Sequence, residues 1–335
     1  MTPAVFGMAG LSLTPDEKAF FKESDPSGYI IFGRNIESKS QLRALTDELR
    51  DLHGRDDVAI LIDQEGGRVV RMKEPIWPNF PAGEVFDKLY DVAPATAIEA
   101  ARINAQALGE SLREVGITVN CLPLLDVRQP ETVAAIGDRA MGSEPMQVAA
   151  LGRAVIDGQT RGGVASVIKH MPGHGRAVVD SHLELPRISA SAEELEIDIA
   201  PFRTVSGASM GMTAHIVYEA WDSEHCASLS PKVIEEVIRG QIGFDGLLFS
   251  DDLDMKALKG DVPSRARDVV KAGCDIALNC WGRMDEMVGI AELLGEITDK
   301  GRARLNEAMM VIGGREEVEL AELVDKRDAL IAAAA

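Results

Sequence analysis

The stretch VASVIKHMPGHGRAVVDSHLELP, residues 164–186, decides how the rest of the chain is read. Val164 to Ile168 is a short β-branched run that reads as a buried strand. Lys169 and His170 stand at its end, and Pro172, Gly173 and Gly175 then forbid a regular element. Three of the six histidines of the chain (His170, His174, His182) fall in this window, with Asp180 two residues before His182. A strand that hands Lys and His to a loop carrying Asp-x-His is how a parallel barrel presents its chemistry. The plainer reading is a glycine-rich surface loop with ordinary polar residues.

Working outward, seven further apolar runs read as strands: Ala4–Met8, Tyr29–Phe32, Val58–Ile62, Ile117–Leu122, Met210–Ala214, Leu247–Ser250 and Asp275–Asn279. Helical patterns separate them. Thr14-Pro15-Asp16-Glu17 starts one helix, and Leu42, Leu45, Leu49 and Leu52 form the stripe of another that Gly54 closes. Ser191 with Glu194 makes a capping box. This alternation predicts a single TIM-type (β/α)8 barrel over residues 1–335, with room for irregular first strands and with C-terminal helices from about Met284. A doubly wound open sheet is the alternative, but no Gly-x-Gly-x-x-Gly follows a strand. Polar residues recur where strands end: Asp63, Asp126, Lys169 with His170, His215, and Asp251 with Asp252.

Composition narrows the function. The net charge of −19 over 335 residues excludes nucleic acid and anionic membranes as partners, since both need clustered Lys and Arg. Any anionic substrate must be met by local arginines. The 4 cysteines form no Cys-x-x-Cys pair and read as free thiols of a reducing compartment. The N-terminal residues show no basic leader or long apolar core, so a cytoplasmic protein is expected.

The loop KHMPGHGRAVVDSHLELP resembles that of the bacterial β-N-acetylglucosaminidases of glycoside hydrolase family three, the peptidoglycan-recycling enzymes. IDQEGGRVVR at 62–71, GDRAMG at 137–142 and FSDDLDM at 249–255 carry the same resemblance in the same order. Met171 stands where an aromatic residue is expected, and is expected to alter the wall of the sugar pocket. The resemblance implies a retaining exo-acting enzyme that removes terminal N-acetylglucosamine from turnover fragments such as GlcNAc-anhydro-MurNAc and its peptides. It implies Asp251 as nucleophile and His182, oriented by Asp180, as acid/base. It further implies that Asp63, Arg71, Arg139, Lys169 and His170 bind the sugar, with no cofactor and no metal. A small carbohydrate or muropeptide is then the partner of a monomer.

Physical chemistry is compatible with those roles. A retaining glycosidase needs a carboxylate under the anomeric carbon. Neighbouring strand residues point to opposite sides, so one of Asp251 and Asp252 is expected in the pocket and the other as an N-cap for a helix near Leu253. Imidazole titrates near neutrality, which suits a residue that gives and then takes a proton. Arg71 and Arg139 also fit surface ion pairs. The histidine spacing matches no helical zinc pair. Two other readings stay open: a phosphorylase using the same site, and a non-catalytic sugar-binding barrel.

Overall fold

The computed structural model describes residues 1–181, 183–313 and 318–333. Eight parallel strands close a barrel: β1 (Thr2–Gly7), β2 (Pro26–Ile31), β3 (Ala59–Ile62), β4 (Val119–Asn120), β5 (Ala165–Met171), β6 (Met210–Thr213), β7 (Leu247–Asp252) and β8 (Ile276–Asn279). The ring runs β1–β8–β7–β6–β5–β4–β3–β2, and the first and last strands close it with Val5 opposite Leu278. The fold is a TIM-type (β/α)8 barrel. The first strands are regular members of it, apart from a register shift between Thr2 and Val5.

Strand alternation sorts the side chains into two cores. Val5, Ile30, Leu61, Val119, Val167, Met212, Phe249 and Leu278 fill the barrel interior. Their neighbours Phe6, Tyr29, Ile31, Ile62 and Ile168 face outward and pack under the helices. Helix Asp299–Met309 sends Leu305, Ala308 and Met309 into the interior core. Two short parallel strands, Arg187–Ile188 and Val217–Tyr218, join the loops that follow β5 and β6.

Local signals acted as their chemistry dictates. Thr14 and Glu17 exchange both bonds of a capping box at helix Pro15–Ser24. Gly54 ends helix Lys39–His53 at φ +62°, where a side chain would be strained. Ser191 and Glu194 cap the turn that leads into helix Glu196–Thr204.

Two strand ends depart from simple alternation. Between the pairs Ile168–Gly211 and Met171–Thr213, β5 spends three residues while β6 spends two. Between Phe249–Ile276 and Asp252–Leu278, β7 does the same against β8. Each extra residue works as a bulge, which re-aims consecutive side chains. The strands therefore run through Lys169–His170 and Asp251–Asp252 instead of ending before them.

Candidate active site

One pocket opens among these strand ends and holds about 300 Å³. It is lined by Asp63 and Glu65 after β3, Lys169 and His170 in β5, Met212 in β6, Asp251 and Asp252 in β7, and Cys280 after β8. Arg71, Arg139, His174 and Asp180 reach it from loops. Seven of the eight residues anticipated for the site thus line a single cavity. The eighth, His182, lies outside the described residues.

A buried ion network forms one wall. The Lys169 ammonium donates to Asp63 Oδ1 at 2.9 Å and stands 2.7 Å from Glu65 Oε1. Arg139 grips Glu65 with two bonds of 2.8 Å, and Arg71 reaches Asp63 at 3.4 Å. Burial alone raises the pKa of Glu65, but Arg139 and Lys169 reverse this and hold its carboxyl at about 2. Burial likewise opposes ionisation of Asp63, and Lys169 and Arg71 hold it low. The wall therefore stays charged: two carboxylates against three cations.

Behind it, Asp126 fixes the second element of the loop. It accepts from the ring of His170 at 2.8 Å, and from the amides of His170 (3.1 Å) and His174 (2.7 Å). Against burial, His170 keeps Asp126 at about 2. His174 is pushed down to about 4, by burial first and then by His170. It is a neutral imidazole beside the Ser181 hydroxyl, 3.3 Å away. His215 does not line the pocket; it is buried between Ser228 Oγ and the Asp252 carbonyl.

Three expectations are corrected. Asp251 and Asp252 both line the pocket, because the register shift in β7 cancels alternation. Asp252 caps no helix: its carboxylate accepts from the amides of Asp254 (3.2 Å) and Cys280 (3.3 Å), in a turn. Burial, with the charge of Asp251 beside it, pushes Asp252 up to about 6. Met171 is no pocket wall. It is wholly buried against Gly211, where a Cβ would collide with its methyl group.

Glu65 was missed as a site residue. It stands in the quoted motif IDQEGG, but its function depends on Arg139, 74 residues away, and no local pattern announces that. All 4 cysteines are buried free thiols. No helix among the described residues is long and apolar enough to cross a membrane.

A closed parallel barrel with one charged pocket at the carboxyl ends of its strands is the frame of a barrel enzyme. The model of the glycosyl hydrolase family 3 N-terminal domain matches residues 7–312. The beta-hexosaminidase of Alkalilimnicola ehrlichii is 40% identical over 283 residues, 83% of this chain and 80% of that protein. NagZ from Neisseria gonorrhoeae, solved in complex with N-trifluoroacetyl-D-glucosamine, is similar at a TM-score of 0.86 and 32% identity, covering 100% of this chain and 98% of that one. A family 3 beta-N-acetylglucosaminidase from Paenibacillus sp. str. FPU-7 is similar at 0.81 and 31%, covering 99% and 62%. The chain belongs to glycosyl hydrolase family 3, and it is a glycoside hydrolase.

Proposed function

We propose that the protein is a cytoplasmic β-N-acetylglucosaminidase that removes terminal non-reducing N-acetylglucosamine from peptidoglycan turnover fragments by double displacement. The observation that carries this reading is Asp251 lining the same small cavity as the Asp63–Lys169–Arg71 wall, with Asp180 on the loop across from it. A cavity of about 300 Å³ is at the small end for ligand sites and suits one terminal sugar, not a chain.

In this reading Asp63, Arg71, Arg139, Lys169 and His170 hold the sugar. Lone pairs on Asp63 accept from hydroxyls, and Lys169 and Arg71 keep that carboxylate ionised. One Asp251 oxygen bonds to the anomeric carbon as the bond to the leaving oxygen breaks, and His182, oriented by Asp180, gives that oxygen its proton. Water then yields a proton to His182 and attacks the same carbon, which frees Asp251. The similar proteins named β-hexosaminidase and β-N-acetylglucosaminidase support the sugar.

The test is a pair of matched glycosides. A β-N-acetylglucosaminide should exceed the β-glucoside by about 10⁴ in kcat/KM, because a site with polar partners for the acetamido group rejects an analogue that leaves them unpaired. A slow fluoro-sugar inactivator should label Asp251. Comparable rates on both sugars, or a label on Asp252 or Asp63, overturn the assignment. Release of a sugar phosphate when phosphate replaces plain buffer identifies a phosphorylase instead.

A further inference from the structure

Beside the pocket, five side chains from the ends of β2, β3 and β8 stack alternately. Arg71 lies 5.0 Å from the Phe32 ring, Arg34 5.1 Å from the same ring and 5.3 Å from Trp281, and Arg283 5.1 Å from Trp281. Phe32 lines the cavity, whereas Trp281 is 43% exposed just outside it. The ladder therefore runs from the sugar pocket out over its rim. Cation–π contact on successive rings fixes three guanidinium planes that would otherwise be mobile.

The three cations differ in their charge partners. Arg71 meets Asp63, and Arg283 meets Asp254 and Glu286 at 2.9 and 2.8 Å. Arg34 makes no ion pair with a carboxylate among the described residues, although the charge of Asp252 bears on it. Its Nε donates to the Met8 carbonyl at 2.8 Å and its Nη2 to the Cys280 carbonyl at 2.5 Å, so the guanidinium is pinned between the ends of β1 and β8. Nη1 makes no hydrogen bond within the described residues. A half-buried guanidinium, held rigid with one nitrogen left over, is built to take an anion.

Its position says which part of the substrate supplies that anion. Asp251 is the last residue but one of β7, and β8 is the next strand in the ring. In the proposed reading the leaving group stands above Asp251 and passes over the adjoining rim, where Cys280 lines the cavity and holds Arg34 through its carbonyl. The net charge of −19 repels an acidic ligand at long range, so its recognition needs a local cation. We infer that Arg34, clamped between Phe32 and Trp281, is a specificity residue that binds a carboxylate on the leaving-group side of the substrate. This rests on the proposed N-acetylglucosaminidase reading and adds the residue that reads the acidic aglycone.

The test uses two β-N-acetylglucosaminides whose aglycones are 4-hydroxybenzoate and its methyl ester. Leaving-group acidity differs between them, but it cancels when each variant is compared with wild type on the same substrate. Arg34→Gln should lose about tenfold more kcat/KM on the acid than on the ester, the size of one charge-assisted hydrogen bond. Arg34→Lys should restore part of the acid preference. As salt rises through the range that screens exposed charge, the acid-to-ester ratio should fall more in the wild type than in Arg34→Gln, a comparison in which the long-range repulsion common to both cancels. Equal losses on both substrates, or the same salt dependence of the ratio with and without Arg34, make Arg34 a structural clamp and overturn the inference. If the wild type hydrolyses neither glycoside, the proposed activity fails before the aglycone is in question.

Discussion

At the scale of single residues, the site separates charges that must persist from one poised to change. Glu65 is 7% exposed and satisfies both Arg139 and Lys169. Glu65→Gln leaves two buried cations short of a partner, and breaking a buried pair from one side costs about 3–5 kcal/mol. A large drop in Tm and weakened binding of N-acetylglucosamine are expected; an unchanged Tm refutes the network's importance. Asp252 is the opposite case. Its folded pKa, about 6, is raised above the ordinary 3.8, so the folded state holds its proton more tightly than the unfolded one. Stability is then lost as pH rises from about 4 through 6. Asp252→Asn mimics the protonated form and keeps an acceptor for the Cys280 amide. The variant should melt a few degrees above wild type at pH 7.5 and match it near pH 4. Melting below wild type at pH 7.5 contradicts this. The asymmetry between the two residues was invisible in sequence. Asp252 could be seen as a strand-end carboxylate, but its burial next to the charge of Asp251, with no ion pair to a cation among the described residues, belongs to the folded barrel.

At the scale of elements, the strands were legible because each is an apolar run of strand length between turn formers, and their order alone implied a parallel barrel. The two places where reading failed are informative. In β5 and β7 an added residue shifts the register, and no residue type within Lys169-His170 or Asp251-Asp252 signals it. The same shift brings paired neighbours into one cavity, which alternation forbids. The loop after β5 was legible as a loop, and its glycines act by close approach. A Cβ built on Gly175 falls on the Val127 carbonyl oxygen, next to the Asp126 that holds His170 and His174. Gly175→Ala must therefore push the Asp180 segment off its seat. Gly54→Ala is the matched control: its φ is unfavourable, at a cost of about 1 kcal/mol, but open space surrounds it far from the pocket. The expectation is at least a tenfold loss of kcat/KM for Gly175→Ala and a lower Tm with normal kinetics for Gly54→Ala. Normal kinetics in Gly175→Ala would show that the loop's seat does not govern turnover.

At the scale of the whole molecule, the C-terminal helices carry no side chain into the pocket, yet one of them braces it. Helix Leu320–Ala332 packs on helix Pro94–Glu114. From it Arg327, only 4% exposed, donates to the Asn79 carbonyl at 3.1 Å and to Asn104 Oδ1 at 3.2 Å, and its guanidinium lies 5.6 Å from the Phe80 ring. The Phe80 carbonyl in turn accepts from the amide of Gly67, in the turn that follows Glu65. A chain of contacts thus runs from the last helix to the wall of the sugar pocket. Arg327→Met keeps the apolar stem and removes the guanidinium. It strands the Asn79 carbonyl and Asn104 without their donor, worth about 1.5–3 kcal/mol for bonds to a charged group. For a chain of 335 residues that corresponds to a fall in Tm of about 2–4 °C. The ion network around Glu65 persists without the brace, so kcat/KM measured well below Tm should change by less than about threefold, and any loss should fall on KM. A variant that melts like wild type shows the helix to be an appendage, and a loss confined to kcat shows that the brace acts on the chemistry and not on sugar binding.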